Sequence, residues 1–361
     1  MMNLRAIAAV LCVFAIGGAH AQAPAKLRVL FPIVAVDEVF APVIAAKQMG
    51  YFKDEGLDVS FVPMNGANVA LIQLAAGNGE VGLITPSAAV VGTQPAIGMR
   101  VTLFYNLYYQ GIWSIAVPED SPVKSLSEIK GKKIGVIAMG SAGVMYGKAY
   151  LAKAGLDPAK DATFIPIGVG AQGATALKGK AVDAVVYFDG MVIKMRSAGV
   201  PLRELPVDAR TAEVPDVALT APTDLLEKSP AQYAGFARAI AKGYEFNNAN
   251  PEAAVRMVWK EFPAAKPANV PEDQALKVAM EVNKTRIAKW VSPKTQGKHG
   301  LFLEEDYKEL IQFTKDFGMI PQTAEFNLSK FYTNKLIDEA NQFDREAVKK
   351  QAAEFDMGSL K

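Results

Sequence analysis

Cysteine is almost absent: the single one, Cys12, stands inside an N-terminal apolar stretch that reads as a signal sequence. Ala9-Val10-Leu11 before it is a poor lipobox, and the position is too early for lipidation. Histidine is nearly as scarce, with only His20 and His299. Once the N-terminal stretch is removed, the chain keeps no thiol, no disulfide and one imidazole. That leaves almost no material for soft-metal sites or for Ser-His or Cys-His nucleophilic catalysis, and it argues against an enzyme. No cofactor is expected. Neither sign of charge dominates, since 39 Lys and Arg face 37 Asp and Glu for a net +2, so neither nucleic acid nor a membrane surface is an expected partner. After the N-terminus, no apolar run approaches the roughly 20 residues that a membrane span needs.

The N-terminus itself carries a compartment signal. Met1 to Arg5 is a short basic region, Ala6 to Ala19 is apolar and rich in small residues, and Ala19-His20-Ala21 is an A-x-A cleavage site. Residues 1–21 are therefore expected to be a signal peptide and the mature protein to be exported to the periplasm.

With 361 residues, 50% of them hydrophobic, the chain can build two domains with proper cores. Lys26 to Pro32, Asp58 to Met64, Val81 to Thr85 and Val101 to Tyr105 read as strands, separated by helices over Glu38–Asp54, Asn68–Ala76 and Ser87–Gly98. The order then returns. Lys133 to Ala138, Thr163 to Ile167, Asp183 to Phe188 and Leu202 to Val207 are strands, with helices over Val144–Ala154, Ala171–Leu177 and Met191–Ala198. Strand–helix alternation predicts an α/β fold of parallel sheets with helices on both faces. The halves also match locally. Tyr51 to Asp58 aligns with Tyr150 to Asp157, and Leu74 to Gly77 with Leu177 to Gly179.

Tyr108 to Pro118 and Asp208 to Pro222 would carry the chain between the halves, and from Ser229 onward the pattern is helical: Ala231–Asn247, Pro251–Phe262, Pro271–Lys289, Glu304–Asp316 and Asn334–Glu354. The expected layout is a clamshell with lobe I at 22–110 and 218–361 and lobe II at 111–217, joined by two hinge strands.

Within lobe II, Ile134 to Ala138 feeds the small-residue turn Gly140-Ser141-Ala142-Gly143 and then a helix. One reading is a tight βα turn with Ser141 as N-cap. The other is half of a binding cleft, where a ligand approaches free N–H groups of the first helical turn.

The segments Ala46-Lys47-Gln48-Met49-Gly50-Tyr51-Phe52-Lys53-Asp54-Glu55-Gly56-Leu57-Asp58-Val59, Leu74-Ala75-Ala76-Gly77 with Val81-Gly82, and Leu126-Ser127-Glu128-Ile129-Lys130-Gly131-Lys132-Lys133-Ile134-Gly135-Val136 resemble the periplasmic solute-binding proteins of the NMT1/THI5-like family, which includes nitrate, taurine, alkanesulfonate and thiamine-pyrimidine binders. The resemblance implies a type II periplasmic-binding fold that delivers a small solute to an ABC-type permease; a monomer is expected. Its motifs are scaffold and do not select a ligand.

In open α/β sheets ligands bind beyond the carboxyl ends of the strands. The loops expected at the cleft are 33–37, 85–87, 105–108, 140–142, 168–170 and 188–189. They supply Asp37, Thr85, Ser87, Tyr105, Tyr108, Gly140, Ser141, Ala142, Phe188 and Asp189 as candidate ligand-binding residues, and they contain no Arg or Lys. Asp37 and Asp189 would receive donors from an amino-bearing or heteroaromatic solute stacked on Tyr105, Tyr108 or Phe188, or else serve as N-caps of the helices that follow. One helix N-terminus contributes only about 0.3–1 kcal/mol to holding an anion, against about 8 kcal/mol for micromolar affinity. Lobe closure must supply the rest.

Two enzyme readings compete. Gly168-Val169-Gly170-Ala171-Gln172-Gly173 satisfies G-x-G-x-x-G between a strand and a helix, with Asp189 ending the next strand, as in an NAD-dependent oxidoreductase. The family resemblance also brings in a thiamine-pyrimidine synthase, whose chemistry depends on a histidine donor, a lysine-bound pyridoxal phosphate and a cysteine-rich iron motif. A mature chain without cysteine departs from that pattern. Gly147-Lys148 lacks the flanking Gly and Ser or Thr of a P-loop.

Overall fold

The computed structural model describes residues 23–207 and 213–360. The expected signal peptide lies outside the described residues. The first half runs β1 (Ala25–Phe31), α1 (Ala41–Gln48), α2 (Tyr51–Asp54), β2 (Leu57–Pro63), α3 (Ala67–Ala75), β3 (Val81–Ile84), α4 (Pro86–Gly92) and β4 (Val101–Asn106). The second runs β5 (Trp113–Pro118), β6 (Lys132–Val136), α5 (Ala142–Lys153), β7 (Ala162–Pro166), α6 (Ala171–Lys178), β8 (Ala184–Phe188), α7 (Asp189–Ser197) and β9 (Leu202–Glu204). The chain then returns through β10 (Ala218–Pro222) to α8 (Thr223–Lys228), α9 (Pro230–Ala249), α10 (Pro251–Glu261), α11 (Glu272–Ile287), α12 (Glu304–Asp316), α13 (Leu328–Phe331), α14 (Ile337–Ala340) and α15 (Arg345–Ala353).

Two five-stranded sheets result, with orders β2-β1-β3-β10-β4 and β7-β6-β8-β5-β9. Each is mixed rather than parallel, because β10 runs antiparallel to β3 and β4, and β5 antiparallel to β8 and β9. The two segments expected as hinge strands between the halves each also pair into a sheet. The reason is positional. The chain leaves the carboxyl end of β4, which faces the other lobe, and enters the second sheet from that same facing end, so β5 runs against its neighbours. β10 enters the first sheet from its facing end in the same way. A parallel strand would have needed a long crossover back to the far end.

The expected helix over 38–54 is broken. Glu38–Phe40 forms a 3-10 turn, and Gly50 at φ 79° separates α1 from α2. The expected helix over 334–354 is likewise two short helices, α14 and α15. The repeat holds at backbone level: Gly56 (φ 69°) and Gly155 (φ 79°), aligned in sequence, both adopt the left-handed conformation that ends a helix before the next strand.

Alternation along the strands divides the interior into two apolar clusters. Leu27, Val29 and Phe31 join one while Leu30 joins the other, and Ala116 and Val185 fall with the first while Ile115 and Val186 fall with the second. Each cluster runs through both lobes. α11, although it follows the return to lobe I, packs on α7 of lobe II as well as on the Glu38–Phe40 turn and α10.

Candidate functional site

Between the two sheets lies a narrow cavity, open at its mouth, with about 50 Å³ of space for the centre of a water-sized molecule. Lobe I contributes Pro32, Ile33 and Phe40 after β1, Asn65 and Gly66 before α3, and Thr85 after β3. Lobe II contributes Ile137, Ser141 and Ala142 after β6 and Phe188 after β8. The two crossing segments close the back with Ile112, Trp113, Asp216 and Val217, and α11 adds Arg286. These are the carboxyl ends of β1, β3, β6 and β8, where an open α/β sheet presents its ligand.

The lobes touch across the mouth through bare backbone. The Asn68 amide at the head of α3 donates to the Gly140 carbonyl at 3.3 Å. Gly66 has φ 112°, and a Cβ there would stand 2.5 Å from that same oxygen. Only glycine allows this approach.

Ser141 is the N-cap of α5, yet its hydroxyl makes no capping bond and has no hydrogen-bond partner, although the residue is buried. A buried, unsatisfied hydroxyl at a cavity wall is a free polar contact for a bound molecule. The Trp113 ring lies against Gly143, where a Cβ would meet it at 2.7 Å, so the small residue in the second position of α5 makes room for an aromatic wall. Phe188 meets Trp113 edge to face at 5.8 Å, and behind Trp113 the ring of Tyr146 lies nearly parallel at 6.2 Å.

Two buried charged residues form the back wall. The Asp216 carboxylate is fully buried and accepts only two long hydrogen bonds, from the Ile112 amide at 3.3 Å and the Trp113 indole at 3.4 Å. Burial raises its pKa to about 6, with Arg286 and the two donors offsetting only part of that effect. Arg286 is 2% exposed. Its guanidinium stacks over Tyr108 (4.8 Å) and Phe188 (5.5 Å) and donates to Asp189, while its Nε has no partner. Burial works against the Asp189 carboxylate, but Arg286 and, at 3.2 Å, Lys289 outweigh it and hold its pKa below the usual value.

Thr85, Ser141, Ala142 and Phe188, all expected at the cleft, line the cavity. Asp37, Ser87, Tyr105, Tyr108, Gly140 and Asp189 stand off it. Both acids are taken by the protein. Asp37 caps the Glu38 turn through Val39 N and pairs with Lys194 at 2.8 Å, and Asp189 pairs with Arg286 and Lys289. Tyr105 packs under Gly300 within lobe I. Tyr108 gives its hydroxyl to the Val39 carbonyl at 3.2 Å and supports Arg286 from behind. Ser87, in the first turn of α4, is buried with its hydroxyl unpartnered. Gly140 meets lobe I at the mouth.

The loops expected at the cleft do hold no Arg or Lys, but the cavity wall gains Arg286 from α11, 97 residues beyond Asp189 in the chain, and Lys289 just after that helix pairs with Asp189. One sequence signal existed: Ala275, Ala279, Val282 and Arg286 share one buried helical stripe, and an arginine on an apolar stripe needs a buried partner. Asp216 carried no such signal, because it precedes a strand whose direction the pattern does not reveal.

The G-x-G-x-x-G turn is filled from within. The Tyr187 hydroxyl donates to the Gly168 carbonyl at 2.8 Å and lies under Gly173, where a Cβ would clash with it. His299, also outside the cavity, is buried against Glu245 with Nε2 2.8 Å from Oε1. Among the described residues, no group of three or more His, Cys, Asp or Glu side chains is placed to hold a metal ion.

Two α/β lobes of equal strand order, crossed twice by the chain and closed on a cavity at their strand ends, define a periplasmic binding-protein fold. The chain belongs to the NMT1/THI5-like family, whose model matches residues 37–254. A Bacillus subtilis (strain 168) candidate binding protein, YtlA, is 22% identical over 289 residues, covering 80% of this chain and 83% of its own. The periplasmic nitrate-binding protein NrtA of Synechocystis PCC 6803 superposes with TM-score 0.68 at 15% identity, over 92% of this chain and 99% of its own. The alkanesulfonate-binding protein SsuA of Xanthomonas axonopodis pv. citri, bound to MOPS, does so with TM-score 0.63 at 15% identity, over 89% and 99%.

Proposed function

We propose that this protein is the exported, periplasmic, monomeric solute-binding component of an ABC importer, and that it captures a small organic solute with an aromatic or heteroaromatic ring in the cavity between its lobes and presents the closed form to a membrane permease. Lobe I is taken as 22–110 with 218–361, and lobe II as 111–217. The family supports the class of function. No helix among the described residues is long and apolar enough to cross a membrane, in keeping with a carrier that meets its permease as a separate chain. The observation that carries the solute site is the free, buried Ser141 hydroxyl facing aromatic walls from Phe40, Trp113 and Phe188 in an enclosed space. Such a site binds and orients; it offers no nucleophile–base pair, so the role is capture rather than turnover.

A second reading, a sulfonate-like solute, draws on the unpartnered Nε of Arg286 at the same cavity. Thermal-shift screening of ring compounds bearing amino, amidine, carboxylate or sulfonate groups tests both, since a ligand at 100 times its Kd adds about 2.7 kcal/mol of stability. Ser141→Trp, which fills the cavity, is expected to remove the shift for every hit while the protein stays folded. A shift that survives in that variant sinks the cavity as the solute site.

A further inference from the structure

We propose that Asp216 is the residue that selects the solute, by receiving a planar N–H donor edge of the amidine type, and that it makes affinity depend on pH. This rests on the cavity being the solute site. Of the four charged groups gathered there, Arg286, Lys289, Asp189 and Asp216, only Asp216 makes no direct ion pair: both cations contact Asp189 and act on Asp216 from farther off. Asp189 absorbs the Arg286 guanidinium and also pairs with Lys289, so those two cations are already engaged. Asp216 has in contrast two donors at the long limit of hydrogen bonding, both of them uncharged. Around it are Arg286 from α11, Lys289 beyond that helix, Tyr108 on the first crossing segment, and Tyr146 and Tyr150 on α5. The Tyr146 hydroxyl is itself buried without a hydrogen-bond partner. Unmatched acceptor capacity at the end of an aromatic slot fits a flat group presenting two parallel N–H bonds to a carboxylate.

Asp216 also stands where the two crossing segments meet. The Asp216 amide donates to the Tyr108 carbonyl at 3.2 Å, while Leu107 and Tyr108 donate to the Val217 carbonyl at 2.9 and 3.0 Å. Its side chain reaches on to the start of β5. A solute that bonds this carboxylate therefore engages the hinge directly. Since burial raises the Asp216 pKa to about 6, an N–H donor binds best above that pH, and affinity falls as the carboxyl protonates below it.

Two probes with the same ring separate the possibilities: benzamidine, a planar cationic donor, and benzenesulfonate, an acceptor-only anion. Calorimetry on the full mature chain at pH 7.5 and 5.0, with wild type, Asp216→Asn and Ser141→Trp, is the experiment. Benzamidine is expected to bind the wild type at pH 7.5, about tenfold more weakly at pH 5.0, and at least about tenfold more weakly to Asp216→Asn, while benzenesulfonate binds less well and without that pH dependence. Benzamidine affinity indifferent to both pH and Asp216, tighter binding of benzenesulfonate, or no benzamidine binding at millimolar concentration overturns the assignment. Should Asp216→Asn fail to fold, the wild-type pH series decides. Loss of binding in Ser141→Trp with indifference to Asp216 leaves the cavity standing and sinks only the selector; binding that survives Ser141→Trp sinks the cavity itself.

Discussion

Lys194 on α7 of lobe II places its Nζ 2.6 Å from Glu38 Oε2 on lobe I, and Asp37 Oδ2 lies 2.8 Å from the same ammonium. Glu38 is 1% exposed and its other oxygen accepts the Trp259 indole at 2.7 Å, so the pair is anchored in the interior of lobe I. Burial works against the Lys194 ammonium, but Asp37 and Glu38 outweigh it and hold its pKa above the usual lysine range. Removing the cation strands two buried carboxylates. Lys194→Met is expected to cost about 3–5 kcal/mol in urea unfolding, as for one partner lost from a buried ion pair. A cost under about 1 kcal/mol would mean the pair behaves as a surface bridge.

Closure at the mouth depends on Gly66. Gly66→Ala puts a methyl group against the Gly140 carbonyl and a side chain in a φ of 112°. The expected outcome is at least tenfold weaker solute binding and a larger radius of gyration for the solute-saturated variant by small-angle scattering. Equal radii for saturated wild type and variant would show that the two glycines do not limit closure.

Trp113 reports on the site. Of the three tryptophans, it alone lines the cavity, while Trp259 and Trp290 are buried elsewhere. Solute binding is expected to change intrinsic fluorescence in the wild type, and Trp113→Phe to abolish most of that change. A full signal in the variant would place the solute near another tryptophan.

Asp216 also shapes stability without solute. Its folded pKa of about 6 lies above its unfolded value near 4, so the folded state holds the extra proton between those pH values. Stability from this group is complete below about pH 4, declines as pH rises to about 6, and is flat above it, for a total of roughly 3 kcal/mol at most. Asp216→Asn lacks the decline. Relative to wild type, its melting temperature should therefore gain between pH 4 and pH 6.5. Parallel curves for the two proteins would show that Asp216 titrates alike in the folded and unfolded chains.

Much of the architecture was legible in the chain. The strands around Leu27–Phe31, Val81–Ile84 and Ala184–Phe188 and the helix at Glu304–Asp316 follow from apolar period and from Gly and Pro punctuation. The aligned glycines at 56 and 155 announced a duplicated unit, and the loops after β1, β3, β6 and β8 do meet at one cavity. Strand direction was not legible, because Trp113–Pro118 and Ala218–Pro222 are apolar runs with the same pattern in either sense.

The sequence by itself determined the two-lobed α/β plan, the family, and the small-residue turn at Gly140–Ala142, since local periodicity and steric freedom are properties of neighbouring residues. The tertiary structure alone decided which charges meet. Asp37 and Asp189 look alike as acids at loop ends, and the fold neutralises both with Lys194, Arg286 and Lys289 while leaving Asp216 without a cation of its own. Electrostatic pairing in a buried site is set by distance in space across segments far apart in the chain, and no window of sequence contains it.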